Sequence, residues 1–489
     1  MKAPYSAKCS VVALAAALSA CSLIPDYERP VAPVSQTWPT GPAYNTSALS
    51  PAANQTSPAE TGWREFFTDS ETQELIELAL KNNRDLRVAA LNIEEAEATI
   101  QVQRSALLPT IDATASSTTE RYPADLSTTG RPSISRSTSA GLGFTSFELD
   151  LFGRIRSLSE QDLEKYLSQT ETMRSTQISL VAEVVDAYLA WLSDRELLKL
   201  TEDTLKSQRE SYELTRLTTQ HGTGTALDLA QAETSVRTAE ANQAQYTRQV
   251  AQDWNALVLL LGEQPSAALQ ARMMTVPGLD AQNHLPTLQA GLPSDLLQRR
   301  PDIMAAEHTL KAANANIGAA RAAFFPTITL TANAGTASAG LSRLFAAGQA
   351  NWVFSPQISI PIFDYGKNSA NLDIAKIEER IEIAQYEKAI QTAFREVADS
   401  LAALDTYQRQ LAAQQALVLA DDTDYKLSEM RFRTGIDNYL STLIAQRSLY
   451  SAQITLIGVH LAQLENLVTF YKVLGGGWVE HTADGKKNN

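Results

Sequence analysis

Cysteine is almost absent from this chain: Cys9 and Cys21 stand at the start of 489 residues, and none follows. A disulfide framework, a thiolate metal site and a cysteine nucleophile are thereby excluded from the body of the protein. Histidine is sparse too. His221, His284, His308, His460 and His481 include no two at the spacing of metal ligands on a helix, and Glu307-His308 reads as a polar helix pair. No His-Glu-x-x-His, no Gly-x-Ser-x-Gly and no phosphate-binding loop occurs, so neither a catalytic site nor a metal or cofactor site is expected. Basic charge is short: Lys+Arg 41 against Asp+Glu 55 gives a formal charge of -14 and a pI near 5.0. That is the wrong sign for holding nucleic acid. Proline is missing from 133 to 264 and again after Pro361. With 44% hydrophobic residues and a mean hydropathy of -0.18, the composition is that of a folded chain without a multi-helix membrane domain.

What is present begins with a leader. Lys2 and Lys8 precede the apolar run Val11 to Leu18, too short to cross a bilayer, which is the pattern of a secretory signal peptide over 1–20. Leu18-Ser19-Ala20-Cys21 resembles a bacterial lipoprotein box, which implies cleavage before Cys21 and a diacylglycerol on its thiol. Ser22, rather than Asp, resembles the outer-membrane class of such lipoproteins. Losing Lys2 and Lys8 takes the formal charge from -14 to -16. Residues 21–62 are rich in Pro, Ser, Thr, Ala and Asn and read either as an extended segment lying over a surface or as a free linker.

The chain then repeats itself. Arg104-Ser-Ala-Leu-Leu-Pro-Thr-Ile111 returns as Arg321-Ala-Ala-Phe-Phe-Pro-Thr-Ile328, and Asp85 and Ile100 match Asp302 and Ile317. Further on, Gly153-Arg154 matches Gly366-Lys367, Tyr212 matches Tyr425, Gly222 matches Gly435, and Leu227 matches Leu440. Two copies of one unit are expected, the first over 63–280 and the second over 299–475, with a linker at 281–298 and a flexible tail at 476–489.

Each copy opens with a helix, over 71–107 and 299–324, stopped by Pro109 or Pro326. A period of two follows: Ile328, Leu330, Ala332 and Ala334 alternate with Thr and Asn, and Ile111, Ala113 and Ala115 with Asp, Thr and Ser. With the second strands around Leu142 and Phe144 and around Ile358 and Ile360, this predicts β-hairpins over about 109–151 and 326–364. Their strands are long enough to cross a bilayer when tilted. The proline-free tracts carry apolar residues in steps of three and four, predicting long helical hairpins over about 157–261 and 368–474. Gly222 and Gly224, and Gly435, supply the reversals. An unbroken helix from Leu158 to His221 would be about 96 Å long, and its narrow apolar stripe suits helix-on-helix packing.

Four membrane strands cannot close a barrel, and an open edge in hydrocarbon leaves backbone groups unpaired. Closure has to come from other copies. Two would give eight strands and a filled interior, whereas three give twelve strands and a lumen. The expected fold is therefore an α+β membrane protein: a trimeric 12-stranded β-barrel, four strands per protomer, continued by a long α-helical barrel.

Further marks lie in order along the chain: Tyr27-Glu-Arg-Pro30, Trp63-Arg-Glu-Phe-Phe67, Glu148-Leu-Asp-Leu-Phe-Gly-Arg154, Arg299-Arg-Pro-Asp302, Ile360-Pro-Ile-Phe-Asp364, Arg431-Phe-Arg-Thr-Gly-Ile-Asp-Asn-Tyr-Leu440 and Tyr471-Lys-Val-Leu-Gly-Gly-Gly-Trp478. With Cys21 they resemble the outer-membrane efflux channels of the TolC/OprM/CusC type, in the lipoprotein branch of resistance-nodulation-division systems. The resemblance implies a homotrimer with a mixed equatorial domain in the outer membrane, extending into the periplasm. It also implies passive export of drugs, solvents or other toxic compounds, a periplasmic adaptor, and an inner-membrane resistance-nodulation-division transporter as partners. No cofactor beyond the lipid on Cys21 is implied. The resemblance further implies a periplasmic gate at Asp421 and Asp422 and adaptor docking at hairpin tips marked by Gly222 and Gly435. The alternative is a lipid-anchored coiled-coil structural or adhesion protein without a pore.

Overall fold

The computed structural model describes residues 22–44, 58–282, 285–286 and 288–482, so the leader and Cys21 lie outside the described residues. Two compact units are present. The first comprises residues up to 31, 92–170 and 305–387; the second comprises 32–91, 171–304 and 388 onward.

The helices in chain order are α1 (Trp63–Phe66), α2 (Ser70–Asn82), α3 (Arg84–Ser105), α4 (Arg154–Gln220), α5 (Ala226–Leu261), α6 (Ala267–Thr275), α7 (Leu296–Arg299), α8 (Pro301–Ala322), α9 (Lys367–Arg433) and α10 (Tyr439–Val473). The strands are β1 (Asp112–Tyr122), β2 (Ser133–Leu149), β3 (Thr327–Ser338) and β4 (Ala350–Ser359). They form one antiparallel sheet in the order β1-β2-β3-β4. The same element order occurs twice with nearly the same lengths: α3 and α8 each have 22 residues, α4 and α9 each have 67, and α5 and α10 have 36 and 35.

Local chemistry fixes the boundaries. The opening helix of the first half, expected unbroken over 71–107, is cut at Asn83. Its side-chain oxygen takes the N–H groups of Asp85 and Leu86, both at 2.9 Å, and its amide donates to Leu260 O, so Asn83 starts α3 as a cap. The opening helix of the second half begins at Pro301, because the residue before a proline disfavours helical backbone and Arg300 is extended at φ -91, ψ 118. The Asp-Leu-Phe-Gly-Arg and Asp-Tyr-Gly-Lys marks are helix starts: Asp150 accepts from Ile155 N and Arg156 N, and Asp364 accepts from Asn368 N. Neither proline nor glycine occurs inside α4 or α9, so nothing interrupts their hydrogen-bond ladders.

In the second unit, Phe66 stacks on Tyr471 at 4.0 Å, and the Tyr471 hydroxyl donates to Thr61 O. Trp38 is buried, stacks on Phe394 and donates to Gly291 O, and Arg409 donates to Pro42 O. Residues 32–44 are thus bonded down, not a free linker. The tail expected to be flexible from 476 is held as far as Thr482. Val479 O and Glu480 O accept from Trp63 N and Arg64 N, and the Arg64 guanidinium pairs with Glu480. Backbone partners in the 61–65 segment, which the sequence pattern does not announce, account for the difference.

Arg300 is buried between three elements. It donates to both Asp302 oxygens, to Glu396 and to Val473 O, tying the start of α8 to α9 and to the end of α10. Replacing Arg300 by Met removes the buried partner of two carboxylates that are themselves about a third exposed. Global stability should fall by about 3 kcal/mol, read as a lower midpoint in thermal denaturation followed by circular dichroism.

Candidate functional site

The sheet belongs to the first unit, and its register separates two faces. One face carries Ala113, Leu142, Ala334 and Trp352 in a row across all four strands. Phe144, Ala332 and Phe354 form the next row, then Phe147, Leu330 and Pro356, then Leu149, Ile328 and Ile358. The opposite face carries Thr114, Gly141, Gly335 and Asn351, and further along Glu148, Thr329 and Gln357. Trp352, Phe354 and Ile358 are 76%, 57% and 63% exposed in the single chain. An apolar surface of that kind requires a hydrophobic surrounding.

A β-bulge holds this separation together. Between Phe144 and Phe147 the register shifts by one residue, with Ser146 at φ 54 and its N–H donating to Thr331 Oγ1. Strict alternation from Leu142 would put Ser146 and Glu148 on the apolar face; the inserted residue puts Phe147 and Leu149 there instead. On the polar face a Cβ at Gly143 would lie 2.2 Å from Ala332 O and one at Gly335 2.1 Å from Ala140 O. Bare backbone lets the strands crowd on that side.

The helical hairpins reverse at two tips in the second unit. Gly222 (φ 79) and Gly435 (φ 74) hold left-handed backbone. Behind Gly222, Thr225 and Asp228 cap α5 reciprocally, and behind Gly435, Asn438 caps α10 while Arg431 grips Asp437 through two bonds of 2.5 and 3.1 Å. Inward of the tips, Ala232, Tyr439 and Leu443 are buried with Tyr212 and Phe432 against them. Asp421 and Asp422 are half-buried on α9, Asp422 pairing with Lys426 at 2.6 Å, and Asp424 accepting from Ser428. One turn on, the Tyr425 hydroxyl meets Ser207 Oγ of α4 at 3.4 Å, and Ser207 also accepts from Gln446 of α10. Sequence reading missed Lys426, although its i,i+4 spacing from Asp422 was a usable signal. Ser207 carried no signal, since its role depends on a helix distant in sequence.

Further from the tips, half-buried carboxyl groups gather. Burial, with Glu465 of α10 and Glu183 of its own helix nearby, pushes Asp186 up to about 7 against the opposing pull of Lys472. Asp194 of α4 is pushed up by burial and by the neighbouring carboxyl of Asp253 on α5. Among the described residues no three His, Cys, Asp or Glu are arranged to hold a metal ion, and no helix is long and apolar enough to cross a membrane.

The profile of the outer membrane efflux protein family matches residues 75–263 and 292–476. The chain belongs to that family. It is 53% identical to the toluene efflux pump outer membrane protein TtgC of Pseudomonas putida over 97% of this chain and 96% of that one. Its fold is similar to a membrane protein of Pseudomonas aeruginosa, with a TM-score of 0.85, 42% identity, and coverage of 93% of this chain and all of that one. The open state of the MtrE outer membrane channel of Neisseria gonorrhoeae gives a TM-score of 0.83 and 37% identity over 95% of this chain and all of that one. The resemblance to TolC/OprM/CusC channels read from the sequence therefore stands. The protein is an outer-membrane channel component of a tripartite efflux system.

Two outcomes follow. Phe354→Arg should cost about 2–4 kcal/mol near the bilayer midplane and lower the amount recovered from outer membranes, whereas Ser355→Arg, on the polar face, should leave recovery near wild type. The second concerns acidity. Because Asp186 and Asp194 bind their protons more tightly folded than unfolded, their contribution is complete below the ordinary carboxylate value of about 3.9. It is lost as pH rises through about 7 for Asp186. The thermal midpoint should therefore be higher at pH 5 than at pH 8, and Asp186→Asn with Asp253→Asn should flatten that slope.

Proposed function

We propose that three copies of this chain join edge to edge into one twelve-stranded barrel with the apolar rows facing lipid and the polar face lining a lumen, and that the barrel continues as a tube of helical hairpins. The observation that carries this reading is the sheet itself. It has apolar rows in register on one face, one of them running across all four strands, and, among the described residues, no partner for the outer side of β1 or of β4. Two copies would give eight strands and an interior filled by side chains, so a conduit favours three. The matching element lengths of the two halves support an internal duplication, which gives each protomer two strand hairpins and two helical hairpins.

Asp421 and Asp422 form the periplasmic gate, where three protomers bring six carboxylates toward one axis and draw cations while repelling anions. Gly222 and Gly435 mark the tips on which a periplasmic adaptor docks, linking the channel to an inner-membrane transporter of the resistance-nodulation-division class. Cys21 bears the lipid that adds an anchor in the outer membrane. The exported compounds are solvents, drugs or other toxic molecules, as the name of the toluene efflux relative suggests.

Planar-bilayer recording of the purified protein tests the reading. The native protein should conduct as a cross-linkable trimer, and the double variant Asp421→Asn, Asp422→Asn should raise conductance or weaken cation preference. Unchanged currents in both respects would remove the pair from the gate, and a monomer without conductance would end the barrel assignment.

A further inference from the structure

One stripe of α8 is engaged by the chain's own beginning, all within the first unit. Glu307, Lys311, Asn314, Gly318 and Arg321 fall in steps of four, three, four and three, the spacing of a single helix face. Residues 23–29 run antiparallel along it. Arg321 Nη1 donates to Leu23 O at 3.1 Å and Asn314 Nδ2 to Pro25 O at 2.9 Å. Between them, a Cβ on Gly318 would lie 2.6 Å from Ile24 Cγ1, 2.6 Å from Ser157 Oγ of α4 and 3.0 Å from Ile24 N, so bare backbone here admits both the strap and α4. At the far end the Arg29 guanidinium clasps Glu307, with contacts of 2.9 and 3.1 Å to one oxygen and 2.8 Å to the other. The Tyr27 hydroxyl donates to Glu307 as well, and the Lys311 ammonium lies over the Tyr27 ring.

The lengths agree. Fourteen helical residues from Glu307 to Arg321 rise about 21 Å, and six extended residues from Leu23 to Arg29 span about 20 Å. Glu307 is only 4% exposed, and its cationic partners are Arg29 on the strap and Lys311 one turn along. A buried carboxylate stripped of such a partner is strongly unfavourable. Occupation of the stripe is therefore built into the stability of the first unit.

We propose that this stripe is a keyed track for residues 23–29, and that the track, rather than an acyl group on Cys21, holds them along α8. Glu307 and Arg29 are the positioning residues, and Gly318 is the notch that admits Ile24. The significance for lipid placement rests on the reading of Cys21 as the acylated residue, which mass spectrometry of the mature chain decides separately.

The test compares the native chain with one that begins at Ser22 behind an ordinary secretory signal, both purified whole in detergent. Glutamyl endopeptidase cutting at the exposed Glu28 reports how often the strap lifts, because cleavage follows the open population when reclosing is fast. With the track in control, both chains resist equally. Glu307→Gln and Gly318→Leu each speed cleavage about tenfold, the loss of the buried pair being moderated by the half-exposed Arg29, while the helical circular dichroism is unchanged. Should either variant fold poorly, a nitroxide at Val31, which is 90% exposed, reads the same release in Arg29→Gln as a narrowed spectrum. Cleavage or mobility unaffected by these substitutions would overturn the track. A strap that comes free merely because the acyl group is missing would show that the lipid holds it.

Discussion

A backbone N–H or C=O left without a partner in hydrocarbon costs several kcal/mol, and the outer rims of β1 and β4 each present a row of them. The rest of the architecture answers to that cost. In the proposed ring, further copies would remove the rims, leaving one face convex toward lipid and the other concave toward water. The bulge at Ser146 keeps Phe147 on the same face as Phe144, and the side-chain-free backbone at Gly143 and Gly335 lets the strands approach closely on the polar face. The helices that follow are long for a related reason. A pore through one membrane is useful to a pump in another only if a conduit spans the distance, and two uninterrupted 67-residue helices supply the material.

The helical hairpins are held by polar contacts as much as by apolar ones. Thr201 meets the Tyr450 hydroxyl at 2.8 Å, Asn242 donates to the same hydroxyl, and Arg447 donates to Ser235. Small apolar clusters such as Leu205, Val236 and Ala239 lie among these bonds. Hydroxyl and amide contacts of this type exchange partners at little cost, since each group lost from one partner can be met by another or by water.

Much of this was legible in the sequence because the relevant signals are local. Proline placement, the alternation in residues 328–334 and the repeated Gly-Arg and Gly-Lys marks gave the element order, and the matching offsets gave the expectation of two copies of one unit. Distant partners limited the rest. The break at Asn83 depends on Leu260, and the ordering of residues 478–482 depends on residues 61–65. The bulge was invisible because Phe144 and Phe147 violate a strict period of two by one residue, which reads as noise until the neighbouring strand is seen. At the hairpin ends Asp422 was legible as an acid, but the Tyr425 bond to Ser207 joins helices separated by more than two hundred residues.

The two rims of the sheet are chemically unlike: β1 is composed largely of Ser, Thr and Ala, and β4 carries Trp352, Val353 and Phe354. When β1 of one copy meets β4 of the next, every seam is head-to-tail, so no copy can pair with itself and the assembly is complete only when the circle shuts. Each subunit then contributes to two seams. In a cell making sound and rim-damaged subunits in equal amounts, random mixing would leave only about one ring in eight wholly sound. In the proposed ring a lesion on either rim would thus be genetically dominant in a way that a lesion in a self-sufficient barrel is not.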